Sequence, residues 1–147
     1  MVSGKLVHLI ETHGEEIVNR VIDDIRRNPE MAHIRAVIEP ELREWREQLL
    51  ENLGHWLRAV NEDDIAHHYE HLGKRRFEDG LQLHECVHAL GLLREKMVDY
   101  VEDHIVTKDS QELYAEEELE RRLGRFFDVL ITHFVKGYER ALRHSMN

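Results

Sequence analysis

The residues with the clearest chemical potential are His84-Glu85-Cys86-Val87-His88. Two histidines one helical turn apart can hold zinc from a single helix face, and the glutamate between them can serve as base toward metal-bound water. The spacing therefore raises a zinc-dependent hydrolase at His84, Glu85 and His88, or a non-catalytic metal site in which a facing helix completes the ligand set. Glu102, Asp103, His104 and Glu112 are all candidates for a third ligand, and none is singled out. With 12 histidines in 147 residues, the five-residue pattern also arises by accident. A second pair, His67 and His71, shares the i, i+4 spacing. It turns roughly 120 to 160° away from the apolar stripe of its helix, which reads as two solvated side chains.

A different kind of signal comes from Arg76. On a helical wheel it falls within about 20° of Ile65, between Tyr69 and Leu72, on the stripe that should be buried. A guanidinium cannot shed its charge, so an inward arginine needs a carboxylate, backbone carbonyls or a bound anion. One reading is a structural ion pair. The other is an interhelical pocket, walled by Trp56 and Tyr69, in which Arg76 receives an acidic or carbonyl-bearing ligand. His13, similarly placed on the apolar stripe of the first helix, is either a hydrogen-bonded core histidine or part of the same ligand site. His8 and His55 point outward.

The elements that carry these residues read as helices almost throughout. Leu6, Ile10, His13, Ile17 and Val21 form a first stripe, with Gly14 beside it, and this helix should end before Asn28-Pro29. A link over residues 30–39 follows. Pro40 then opens a second helix with stripe Leu42, Trp45, Leu49, Leu53, Trp56 and Val60. Asn61-Glu-Asp-Asp64 supplies caps for a third helix bearing Ile65, Tyr69, Leu72 and Arg76, and Gly80 ends it. A fourth helix turns Leu83, Val87, Leu90, Met97, Val101 and Ile105 inward and stops near Thr107-Lys-Asp-Ser110; its length marks it as central. The last helix opens with the acidic run Glu116-Glu-Glu118 and carries Leu119, Leu123, Phe126, Leu130, Phe134 and Tyr138. No strand-length alternation interrupts the helical pattern, so the fold class is all-α.

Composition bounds the function. At 147 residues, 41% hydrophobic and 34% charged, the chain suits one soluble domain spanning residues 1–147. A net charge of −10 disfavours nucleic acid and anionic membrane surfaces, leaving small molecules or proteins as partners. Cys86 is the single cysteine, which excludes an internal disulfide and a thiolate metal cage and fits a reducing cytoplasm. The opening Met1-Val-Ser-Gly-Lys lacks the apolar run of a signal peptide, and no window approaches the roughly 18 apolar residues of a membrane span. A cytoplasmic location is expected.

The run Tyr69-x-x-Leu72-Gly73-x-x-Arg76-x-x-x-Gly80-x-x-Leu83-x-Glu85, continued by Ala89-Leu90 and Leu92-Leu93-Arg94, resembles the N-terminal sensory domain of the RsbT co-antagonist (RsbRD-like) proteins of bacterial stress signalling. Phe126-Phe127-Asp128, followed by Gly137-Tyr138-Glu139-Arg140-Ala141-Leu142, resembles the closing helix of that domain. The resemblance implies a helical module, dimeric, that senses a signal or docks a signalling partner and performs no catalysis. In that family the pattern asks only for Glu at position 85, which favours accident for the zinc motif. Zincin-type proteases, which the pentapeptide itself resembles, also place a β-sheet ahead of it, and no strand pattern precedes it here. In the stress-signalling proteins an output module usually follows, whereas this sequence stops at Asn147. The expectation is a unit that works alone or with a separate partner chain, and that buries part of its aromatic last helix in a homodimer.

A more distant likeness concerns haem. Leu72-Gly-Lys-Arg-Arg-Phe-Glu-Asp-Gly-Leu-Gln-Leu83 is similar to the segment around the proximal histidine of globin-coupled sensors. Arg76 stands where that histidine would be and cannot ligate iron. The likeness implies a globin-like helical sandwich without its haem, with His13 or His88 as substitute iron ligands in the alternative. The reading carried forward is an all-α bundle, globin-like or of four-helix type, with about five to six helices. It acts as a non-enzymatic sensory or interaction module with Arg76, His13, Trp56 and Tyr69 as candidate ligand-binding residues. No cofactor is expected; zinc at His84 and His88, and then haem, are the alternatives.

Overall fold

The computed structural model describes residues 4–59, 61–104 and 110–146. Among them are five α-helices and one short 3-10 turn, and no strand. Helix α1 spans Gly4–Arg27 and buries Ile17, Val18, Val21, Ile22 and Ile25, a stripe broad enough to meet two neighbours. The side chains of Leu6, His8 and Ile10 lie outside the described residues. Asn28 ends the helix in extended conformation, and its side-chain oxygen accepts from the Glu30 amide at 3.0 Å. Pro29 then starts the 3-10 turn Pro29–Met31, at a position where its missing N–H costs nothing.

Helix α2 spans Ala32–Ala59, which corrects the expected link over 30–39 and the start at Pro40. Pro40 lies inside the helix and cannot donate to the Ala36 carbonyl. Packing outweighs that loss. Met31 and Ile34 are buried, Val37 packs against the same core, and Arg26 of α1 holds Glu39 at 2.8 and 3.0 Å. Leu42 and Val60 fall outside the described side chains.

Helix α3 spans Asp63–Glu78 behind an Asn61 side chain that accepts from the Asp63 amide at 3.1 Å. It ends where expected. Gly80 takes φ +81°, a left-handed conformation that a Cβ would resist, and the amides of Asp79, Gly80 and Leu81 close back onto the last turn.

Helix α4 spans Leu83–His104 and is rotated from the expected face. Cys86, Ala89, Leu90, Leu93, Met97 and Tyr100 are buried, whereas Leu83 and Val87 are only partly so. The cause is that α4 lies against both α1 and α5, so it buries two adjoining strips instead of one. Ile105 and the Val101 side chain are outside the described residues. Helix α5 spans Ser110–Ser145, starting before the acidic run, whose Glu116 side chain is not described, nor is that of Leu119. At 36 residues it is about 54 Å long, and it packs on α3 above all, then on α4 and α2. The central role therefore falls to α5, not α4.

Two glycines make the α3–α5 contact possible. A Cβ at Gly73 would overlap the Phe134 carbonyl, and one at Gly137 would overlap the Glu70 carbonyl. The two backbones meet with no side chain between them.

Candidate functional site

The first turn of α4 carries the zinc-like motif. His84 and His88 share an exposed face, one turn apart, while Glu85 is 5% exposed and turns into the protein. There its Oε1 lies 3.5 Å from Nδ1 of His33 on α2. The base and the two imidazoles therefore point to different sides of the helix. Among the described residues no group of three or more His, Cys, Asp or Glu is arranged to hold a metal ion. Glu102 and Asp103 are exposed, and the side chains of His104 and Glu112 lie outside the described residues. Cys86, the neighbour of Glu85, is buried, and burial pushes its thiol up to about 11, with nearby Arg76 opposing the shift.

Arg76 is interior as its place on the wheel demands, with 7% of its side chain exposed. Its Nη1 lies 3.0 Å from Oε2 of Glu41 on α2 and 3.0 Å from Oδ2 of Asp79 just beyond its own helix. Glu41 also receives Arg75 at 2.9 Å. The charge is thus met by two carboxylates, and the pair ties the α2 backbone to the end of α3. Two small cavities flank the guanidinium. One, of about 40 Å³, opens between Glu41, Trp45 and His68; the other, of about 30 Å³, is apolar and bounded by Ile34, Leu72, Cys86 and Phe134. Each has room for a water or two. Neither admits a porphyrin.

The remaining candidates do not join Arg76 there. Trp56 and Tyr69 come together, each packed on Phe126 with ring centroids 6.2 and 6.3 Å away. The Trp56 indole donates to the Arg122 carbonyl at 3.1 Å, and burial drives the Tyr69 phenol well above its ordinary range against the opposing effect of Asn52. Arg76 sits about two turns further along α3, and Trp45 takes the wall that Trp56 was expected to form. His13 is not a core residue: its side chain is 42% exposed and stacks at 5.5 Å on Tyr100.

One cluster has no counterpart in the sequence reading. His133 of α5 is 7% exposed and stands between two carboxylates, Glu70 of α3 and Glu62 just ahead of that helix. Its Nδ1 is 2.6 Å from Glu70 Oε2 and its Nε2 is 2.8 Å from Glu62 Oε1. Arg140 holds the other oxygen of Glu70 at 2.5 Å. Each ring nitrogen thus has a carboxylate of its own, and which of them donates depends on the tautomer. Burial works against ionising Glu70, but hydrogen bonds from His133 and Arg140 prevail and hold its carboxyl below the usual range. A signal for the cluster was present: Phe126-Phe127 and His133-Phe134 are adjacent pairs one heptad apart, which marks a buried face wider than a single stripe.

The residues of the glycine-bearing motif have structural work in this arrangement. Gly73 and Gly137 form the helix seam, Gly80 makes the turn, and Arg76 closes the corner with α2. Tyr138 donates its hydroxyl to the Leu81 carbonyl at 2.6 Å and packs edge-on against Phe77 at 5.4 Å. The family model described as the RsbT co-antagonist protein rsbRD N-terminal domain matches residues 15–147. No curated protein matches the chain, and no solved structure does.

Proposed function

The chain belongs to the RsbT co-antagonist N-terminal domain family, and from that premise we propose that it is a non-enzymatic sensory or docking module of bacterial stress signalling. The observation that carries the reading is the family match over residues 15–147, most of the chain. The geometry supports it. The glutamate of the zinc-like motif faces away from its histidines, and the buried arginine and histidine are each met by carboxylates within the fold. No described helix is long and apolar enough to cross a membrane. The module works in the cytoplasm, as a homodimer or beside a separate signalling chain, and transmits its state through contacts made by the helical surface. Arg76 on this reading is scaffold, not ligand receptor.

The test pairs genetics with chemistry. Deleting the gene in its own host shifts the threshold or amplitude of a stress-response transcriptional reporter, and His84→Ala/His88→Ala protein restores it. An unchanged reporter, with stoichiometric zinc in untagged protein and a hydrolase activity abolished by His88→Ala, would overturn the proposal.

A further inference from the structure

The corner fixed by Arg76 leaves space inside the fold. The inner of its two cavities, about 30 Å³, lies where four helices converge: Ile34 comes from α2, Leu72 from α3, Cys86, Ala89 and Leu90 from α4, and Phe134 from α5. All six are buried. A water molecule needs roughly 10 to 15 Å³ of such space, so the volume suits a molecule of about two heavy atoms.

The chemistry of the wall narrows the choice. Trp45 and Arg76 complete it, and none of the described side chains that line it carries an oxygen. The indole and the guanidinium are donors only, and the thiol is at best a weak acceptor. Each lining residue lies within a helix, where main-chain carbonyls are spent on the helix's own hydrogen bonds. A buried water would find almost nothing to accept its hydrogens, whereas a cavity lined in this way takes apolar solutes. The ionisable wall groups add no free charge: Nη1 of Arg76 is met by Glu41 and Asp79, and burial pushes Cys86 up to about 11, which keeps it a thiol.

The cavity also has a way in. Trp45 is partly exposed, and with Leu72 and Arg76 it walls the outer cavity as well. There Glu41, Glu44, Gln48, His68 and Arg75 reach solvent. A polar mouth and an apolar end thus adjoin across the Trp45 ring.

We propose that the inner cavity binds a small uncharged apolar molecule, a dissolved diatomic gas such as dioxygen, admitted past Trp45. Dispersion contacts and the exclusion of water hold it, with no bond made or broken. The site goes beyond the signalling reading and does not rest on it.

The probes are xenon and dioxygen, applied under pressure to the full chain with isotope-labelled methyl groups. The expected result is saturable xenon shifts at the methyls of Ile34, Leu72, Ala89 and Leu90, while Leu53 and Leu123 elsewhere in the core stay unmoved. Paramagnetic dioxygen speeds the relaxation of the same four. Ala89→Val, which fills the space, shrinks the xenon shifts of Ile34 and Leu72 about fivefold or more with little change in the thermal melt. Leu90→Ala makes the opposite change: it widens the cavity and lets xenon saturate at lower pressure, a result that decides the matter even if Ala89→Val does not fold. Shifts that rise linearly with pressure, equal shifts at Leu53 and Leu123, or indifference to both substitutions overturn the proposal. So does a chloride or nitrate titration that moves the same methyls and cancels the xenon effect, which would make this an anion site. Long-lived water contacts at the Ile34 and Leu72 methyls that persist under xenon overturn it too.

Discussion

Two buried nitrogen-bearing side chains, Arg76 and His133, hold this bundle together in parallel ways, and their difference is instructive. Arg76 and His133 are both at least nine-tenths buried and each stands between two carboxylates. Arg76 fastens the corner between α2 and α3, while His133 fastens α3 to α5. The guanidinium is a donor-only group, and one of its nitrogens meets both Glu41 and Asp79. The imidazole instead gives each carboxylate a nitrogen of its own, with donor and acceptor roles set by its tautomer. One fastening converges on a single guanidinium nitrogen and the other spans both sides of a ring, although burial is alike.

The sharpest way to break the His133 fastening is from beneath. Gly137→Ala drives a Cβ into the Glu70 carbonyl, separating the backbones that press His133 between its partners. A loss of more than about 3 kcal/mol is expected by chemical denaturation, beyond the usual cost of overpacking because the obstacle is main chain. Next in size, Arg76→Met leaves Glu41 and Asp79 facing an apolar side chain. Both are about one-third exposed and Glu41 keeps Arg75, so the expected loss is about 2 to 3 kcal/mol, at the low end for breaking a buried pair.

His133→Gln should cost less, about 1 to 2 kcal/mol near neutral pH, because the amide can still donate to one carboxylate. Its pH dependence separates the two fastenings. Glu70 is held below its ordinary value near 4.5, so the stability it contributes is present above that value and is lost as pH falls through the lowered folded-state value. His133→Gln removes one of the interactions holding Glu70 down. Its stability should therefore decline less steeply than that of the native protein across this acid window, whereas Arg76→Met should retain the Glu70 contribution. Parallel acid melts of the three proteins measure this. The smallest effect is expected from His84→Ala/His88→Ala, within about 0.5 kcal/mol in the same melts, since both imidazoles are exposed.

Arg76 and His133 also differ in how visible they were. Arg76 announces itself because it interrupts a narrow apolar stripe on a short helix, and the wheel placed it correctly. His133 sits one residue before Phe134, just outside the single stripe assigned to α5, and the same one-stripe reading missed Phe127. A helix that packs on three others buries a wider arc than a stripe of every third or fourth residue describes. The identical error rotated α4. Pro40 misled for another reason: local propensity made it a start signal, and the burial of Met31 and Ile34 carried the helix through it.

The candidate site was legible only residue by residue. The inward pointing of Arg76 followed from its phase on α3, but Glu41 lies on another helix and its role as partner does not. Trp56 and Tyr69 were rightly turned inward, yet they meet each other across Phe126 and not across Arg76.

What the sequence determined alone is what neighbours along the chain decide: the helical class, the turn at Gly80, the stop of the first helix before Asn28-Pro29 and the inward phase of Arg76. These depend on φ preference, hydrogen bonds spanning a few residues, and periodicity. Only the tertiary structure decided that Glu41 meets Arg76, that Glu62 and Glu70 meet His133, and that Gly73 and Gly137 must lack a Cβ. Those are contacts between residues about 35 to 70 positions apart, and they exist only once helices have chosen partners.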